Sequence, residues 1–140
     1  AELDKQDVQG GTPLHFAAGA SKDLSVKFLL DRRASLDVMD SRGLSVLHAA
    51  AGDGSVTICQ ELLNARATAD MRSSKASTPL HTAAALGQEA TATLLMQSRA
   101  DLNALDPQGS TPLSLVAREG SPAFCAQLLA ARAALNTTDI

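Results

Sequence analysis

Every 33 residues this chain restates one short phrase. Thr12-Pro13-Leu14-His15-Phe16-Ala17-Ala18 returns as Ser45-Val46-Leu47-His48-Ala49-Ala50-Ala51, as Thr78-Pro79-Leu80-His81-Thr82-Ala83-Ala84 and as Thr111-Pro112-Leu113-Ser114-Leu115-Val116-Ala117. A constant period of that size marks a stacked array, whose units bury their apolar faces against one another. The hydroxyl residue opening each copy suits a helix N-cap. The proline that follows it in three copies suits the first helical position, where a missing N–H is harmless. The spacing predicts a first helix from Pro13 to about Gly19, a turn near Ser21 and a second helix over Asp23–Asp31. The later repeats follow the same plan. Their second helices are expected over Val56–Asn64, over Glu89–Gln97 and from Pro122 to about Ala130, after turns at Gly54, Gly87 and Gly120.

At 140 residues the chain is one domain, and about three repeats suffice for a stable array. Only 2% of the residues are aromatic, which removes the platforms on which single-stranded bases stack. A net charge of −3 argues further against a nucleic-acid partner. No apolar run approaches the length of a membrane span, and nothing at the start reads as a signal peptide. The first residue is Ala, and repeat 4 keeps Leu113, Phe124 and Leu129 where an end unit would be polar, so the chain is expected to be excised from a longer one. Cys59 and Cys125 hold the same slot two repeats apart, beyond the roughly 7 Å between Cα atoms that a disulfide spans. They read as buried, reduced thiols, which points to an intracellular site, cytoplasmic or nuclear.

The phrase T-P-L-H-x-A-A at this period resembles the ankyrin repeat over nearly the whole chain. The resemblance implies an all-α repeat solenoid of four ankyrin repeats in a single domain, 1–140, with repeats at about 7–39, 40–72, 73–105 and 106–138. Helix-turn-helix pairs would alternate with β-hairpin or loop fingers and enclose a concave groove. His15, His48 and His81 fall in the slot where the family uses His as a structural hydrogen-bonding residue. With each His and Cys in a structural slot, no nucleophile–base pair or metal-ligand spacing is left. Neither catalysis nor a cofactor or metal is expected.

The chain departs from the family at two places. Arg33, Arg66, Arg99 and Arg132 stand where ankyrin repeats usually have Gly in a left-handed conformation after the second helix. Arg there is expected to cost on the order of 1 kcal/mol per site. A cation near a helix C-terminus offsets about 0.3–1 kcal/mol of it. The third finger has Ser73 in place of Asp and Ala76 in place of Gly, so its turn is expected to be strained or of another type.

Family members mostly bind other proteins through finger tips and the inner surface of the first helices. Carried over by position, the resemblance implies Met39, Arg42 and Leu44 on one finger, Arg72 and Lys75 on the next, and Leu105 and Gln108 on the last. Asp53, Leu86, Arg118 and Glu119 join them from the ends of the first helices. The middle finger is basic, with Arg66, Arg72 and Lys75 against Asp70. The expected function is a non-catalytic module for a protein or peptide with an acidic group near that finger, monomeric in isolation and bound to no membrane. The alternative is a structural spacer or scaffold segment with an idle groove; self-association through exposed ends is a lesser third reading. Asn103 holds a slot that an asparaginyl hydroxylase modifies in some family members. The sequon Asn136-Thr137-Thr138 reads as a chance match.

Overall fold

The computed structural model describes residues 2–119 and 121–138, with side chains over 3–119 and 121–131. After a short 3₁₀ turn at Glu2–Asp4 come eight α-helices in four pairs. These are α1 (Pro13–Gly19) with α2 (Asp23–Asp31), α3 (Val46–Asp53) with α4 (Val56–Asn64), α5 (Pro79–Ala85) with α6 (Glu89–Gln97), and α7 (Pro112–Glu119) with α8 (Pro122–Thr138). Each first helix packs on the next, α1 on α3 on α5 on α7, and the second helices stack likewise. Leu14, Leu47 and Leu80 alternate in the core with Ala18, Ala51 and Ala84, and all six are buried. The small residues let neighbouring helices approach closely.

The caps follow from the phrase. Thr12, Ser45 and Thr78 accept a hydrogen bond from the backbone N–H of His15, His48 and His81, and each imidazole bonds the cap's own backbone N–H in return. This is a capping box with His in place of the usual Glu or Gln. Cys59 lies in the core, where burial pushes its thiol up to about 12. Cys125, expected to be equally buried, is only partly so, because its slot faces outward from the last pair.

α2, α4 and α6 end in the motif expected for Gly. The Ala34 N–H bonds the Leu29 carbonyl at 3.0 Å and the Arg33 N–H bonds Leu30 at 2.9 Å, and residues 66–67 and 99–100 repeat both bonds. Arg33, Arg66 and Arg99 take the left-handed conformation, with φ of 61°, 74° and 65°. The fourth copy does not. α8 runs for 17 residues against 9 in α2, α4 and α6, past the expected end near Ala130, so Arg132 lies inside a helix. Ser35, Thr68 and Asp101 follow the Arg-Ala pair in the first three copies, but Ala134 follows it in the last. Ser, Thr and Asp compete with helical hydrogen bonding, whereas Ala is the strongest helix former. Gly120 and the side chains of Arg132 and of the sequon lie outside the described residues.

The fingers are loops; no strand forms among the described residues. Each is built on one side chain. Asp40 Oδ1 accepts from the N–H of Arg42 and of Leu44, both at 2.9 Å, and Asp7 and Asp106 repeat the arrangement. Ser73 Oγ accepts from Lys75 and Ser77 N–H at 3.2 Å, so the middle finger keeps the turn of the others. Its strain falls on Ala76, at φ 54° where Gly10, Gly43 and Gly109 stand at 78°, 71° and 75°. Ala76→Gly is expected to stabilise the domain by about 1 kcal/mol, read as a rise of roughly 0.5 M in the urea midpoint. An unchanged midpoint would mean that the turn holds Ala76 without strain.

Backbone bonds tie neighbouring fingers together. The Ser41 N–H donates to the Gln9 carbonyl at 2.8 Å and the Ser74 N–H to Arg42 at 3.3 Å. The corresponding residue of the last finger is Pro107, which has no N–H to give.

Candidate functional site

A side chain in one slot of the repeat also spans two of these seams, the first beside its backbone bond and the third in place of one. Gln6 Nε2 bridges its own finger to the next, donating to the Gly10 carbonyl at 2.7 Å and to Met39 at 3.1 Å. Arg72 holds the same slot two repeats on. Its Nη1 donates to the carbonyls of Ala76 and Leu105, both at 3.0 Å. Arg72 is thus an exposed cation at a finger tip and also the clasp between the third and fourth fingers.

The tip charges are set by the residue that builds the turn. Arg42 is paired with Asp40 at 3.1 Å. Burial opposes ionisation of Asp40, but the N–H groups of Leu44 and Arg42 and the guanidinium of Arg42 outweigh it and hold the carboxyl below its ordinary value. Lys75 occupies the slot of Arg42, one repeat on. Ser73 supplies its finger with the same turn bonds as Asp40 but without the carboxylate. The two ion pairs among the described residues are Lys27–Glu61 and Arg42–Asp40, so Lys75 is exposed and uncompensated.

Apolar surface lies beside these charges. Met39, Leu86 and Leu105 are 37%, 60% and 52% exposed, and Leu44 is half-buried. Leu86 sits at the end of α5, one repeat beyond Asp53, which accepts a hydrogen bond from the Ser21 hydroxyl. Arg118 and Glu119 are exposed at the end of α7, and Gln108 is exposed at the tip of the last finger. The eleven positions therefore fall in rows, along the tips of the last three fingers and along the C-terminal ends of α3, α5 and α7. At the other end, Val8, Phe16, Ala20, Arg42, Leu44 and Ala49 help to line one cleft of about 670 Å³ between the first two fingers and α1.

Phe16 is the groove residue that position-by-position carry-over misses. It is 58% exposed in that cleft. Gly11 makes room for its ring, since a Cβ there would lie 3.2 Å from the ring edge. A signal for it exists in the sequence. Phe16 fills the one freely varying slot of the repeated phrase, held elsewhere by Ala49, Thr82 and Leu115.

The histidines lie behind this surface. His15, His48 and His81 are buried, and each Nε2 donates to a carbonyl at the base of the next finger: Leu44 at 3.0 Å, Ser77 at 2.9 Å and Ser110 at 3.1 Å. Burial pushes the His48 imidazole below its ordinary value; the Ser77 carbonyl and the Asp40 carboxylate pull the other way without overcoming it. In the fourth pair Ser114 replaces His and bonds only within its own turn, to the Thr111 carbonyl at 2.8 Å.

A family model described as ankyrin repeats (3 copies) matches the chain twice, over residues 1–73 and 47–139. No curated protein matches it.

Proposed function

The chain belongs to the ankyrin-repeat family, and from that premise we propose that it binds an extended segment of a partner protein across its fingers and the ends of its first helices. Ankyrin repeats in general serve as protein–protein interaction modules. The observation that carries the finer reading is the substitution at Ser73. It keeps the turn and removes its carboxylate, so Lys75 has no counter-ion where Arg42 has one at 3.1 Å. With Arg72 alongside, the middle finger offers an acidic group two cations. Met39, Leu86 and Leu105 offer apolar contacts on either side. An acidic residue flanked by apolar ones is the segment this surface fits best. Arg42, Leu44, Asp53, Gln108, Arg118 and Glu119 would form its polar rim.

The test pairs the chain with an Arg72→Glu, Lys75→Glu variant as baits for a host lysate, followed by affinity measurement on the captured partner. Exposed charge pairs at an interface rim contribute about 1 kcal/mol each. Reversing both should weaken binding at least tenfold, with the helical circular dichroism unchanged. Equal capture by both baits would remove the middle finger from the reading and favour an array that only spaces its neighbours.

A further inference from the structure

We infer that Ser73 is a phosphorylation site and that a phosphate there completes the middle finger. The other three fingers are built on a carboxylate in this slot. Asp7, Asp40 and Asp106 each accept two backbone N–H bonds, at 2.7 to 2.9 Å. Ser73 Oγ accepts the same two bonds, from Lys75 and Ser77, at 3.2 Å. The middle finger thus has a place shaped for an anion and holds a neutral hydroxyl in it. A phosphoserine carries about −1.5 to −2 charges at pH 7 and three strong acceptor oxygens. One oxygen would take the two N–H groups as charge-assisted bonds, roughly twice as strong as neutral ones. Another would face Lys75, as Asp40 faces Arg42 at 3.1 Å.

Ser73 is 8% exposed, so the finger must open before a kinase can take it. Its turn is the most weakly held of the four. The acceptor is uncharged, its bonds are the longest, and Ala76 stands at φ 54° where the other fingers have Gly. Arg72 precedes Ser73, Lys75 follows two residues on, and both are exposed. A serine kinase that reads cations on both sides of its target finds them here. Ser25 also has a Lys two residues on, but it lies inside α2 and cannot be presented as a loop. In the reaction the Ser73 hydroxyl oxygen attacks the terminal phosphorus of a nucleoside triphosphate held by the kinase. The new O–P bond forms as the bond to the bridging oxygen breaks, nucleoside diphosphate leaves, and the hydroxyl proton passes to the kinase's base. The phosphate then balances the charges of Lys75 and Arg72 and switches off the attraction of the finger for an acidic segment. Only that last consequence rests on the binding reading above.

Purified serine kinases directed by basic residues, supplied with ATP, test this on the chain, on Ser73→Ala and on Ser74→Ala, with the phosphate located by fragment mass. The parent chain and Ser74→Ala should each take a phosphate on Ser73, and Ser73→Ala should take none in this finger. In the phosphorylated chain the Lys75 and Ser77 amides should exchange with deuterium about tenfold more slowly. Ser73→Asp should slow the same two amides without a kinase, which keeps the turn testable if Ser73→Ala does not fold. No phosphate in the finger, or phosphate on Ser74 alone, overturns the proposal. So does unchanged exchange at Lys75 and Ser77 in the phosphorylated chain or in Ser73→Asp, since the anion would then lie outside the turn.

Discussion

His48→Ala should destabilise the domain by about 3 kcal/mol, lowering its melting temperature by roughly 10 °C. The imidazole is 1% exposed and serves two repeats at once. Its Nδ1 accepts from the Ser45 backbone N–H at 3.2 Å and from the Ser45 hydroxyl at 2.9 Å, and its Nε2–H donates to the Ser77 carbonyl at 2.9 Å. Truncation leaves the buried Ser45 N–H without a partner, at about 1–3 kcal/mol, and takes from the Ser77 carbonyl one of its two bonds, the other coming from the Ser73 N–H at 2.9 Å. It also opens a cavity between α3 and the base of the middle finger. Thermal unfolding checks the magnitude, and a loss below about 1 kcal/mol would mean that water replaces both bonds. The pH dependence checks the protonation state. Folded His48 titrates below its ordinary value of 6.5 because burial disfavours the imidazolium. As pH falls below 6.5 the unfolded chain takes up this proton first. Stability should thus be full above that pH and fall between it and the lower folded value. In His48→Ala that part of the acid loss should disappear.

Replacing Arg33, Arg66 and Arg99 together by Gly should stabilise the array by about 0.6 kcal/mol, moving the urea midpoint up by roughly 0.3 M. All three residues stand at positive φ, from 61° to 74°. A side chain there costs about 1–2 kcal/mol through the clash of Cβ with the following carbonyl. The charge at the helix C-terminus offsets about 0.3–1 kcal/mol of that per site, and the freer unfolded chain of a Gly variant offsets a similar amount. The three sites belong to different repeats, so their gains should add. An unchanged midpoint would show that the guanidinium groups recover the backbone cost through contacts of their own.

Helix placement was legible in the sequence because local chemistry decides it. A hydroxyl cap, a proline at the first position and a return at a fixed interval leave little choice, and α1 to α6 begin and end close to where the residues say. The end of α8 was not legible from the Arg-Ala pair. What decides it is the next residue, Ala134 in place of Ser35, Thr68 or Asp101. In two of those three copies the N–H at that position is also taken by a carboxylate of the preceding finger, Asp4 for Ser35 at 2.7 Å and Asp70 for Asp101 at 2.8 Å. Such a partner lies 31 residues away in the chain. The site was half legible. Position in the repeat picks out side chains at finger tips and helix ends, but not their neighbours. That Arg72 clasps two fingers and that Ser21 holds Asp53 are relations between repeats, whereas the pairing of Arg42 with Asp40 and the freedom of Lys75 beside Ser73 are set within a single finger. Phe16 was hidden for the opposite reason, since it stands inside the phrase that reads as core.

Pro107 gives the array a grain. The first two seams between fingers are stitched by backbone hydrogen bonds, whereas the third is held by one guanidinium lying over two carbonyls and by the Asp70 carboxylate on the Asp101 N–H at 2.8 Å. A strip joined this way bends like a spring with one soft coil. For the tips of the third and fourth fingers to part, no backbone–backbone bond has to break, only the contacts of a single side chain. An anion that drew Arg72 toward itself would loosen that coil as it bound. The arc would then fit ligands of different thickness at its far end, while the near end keeps one fixed radius.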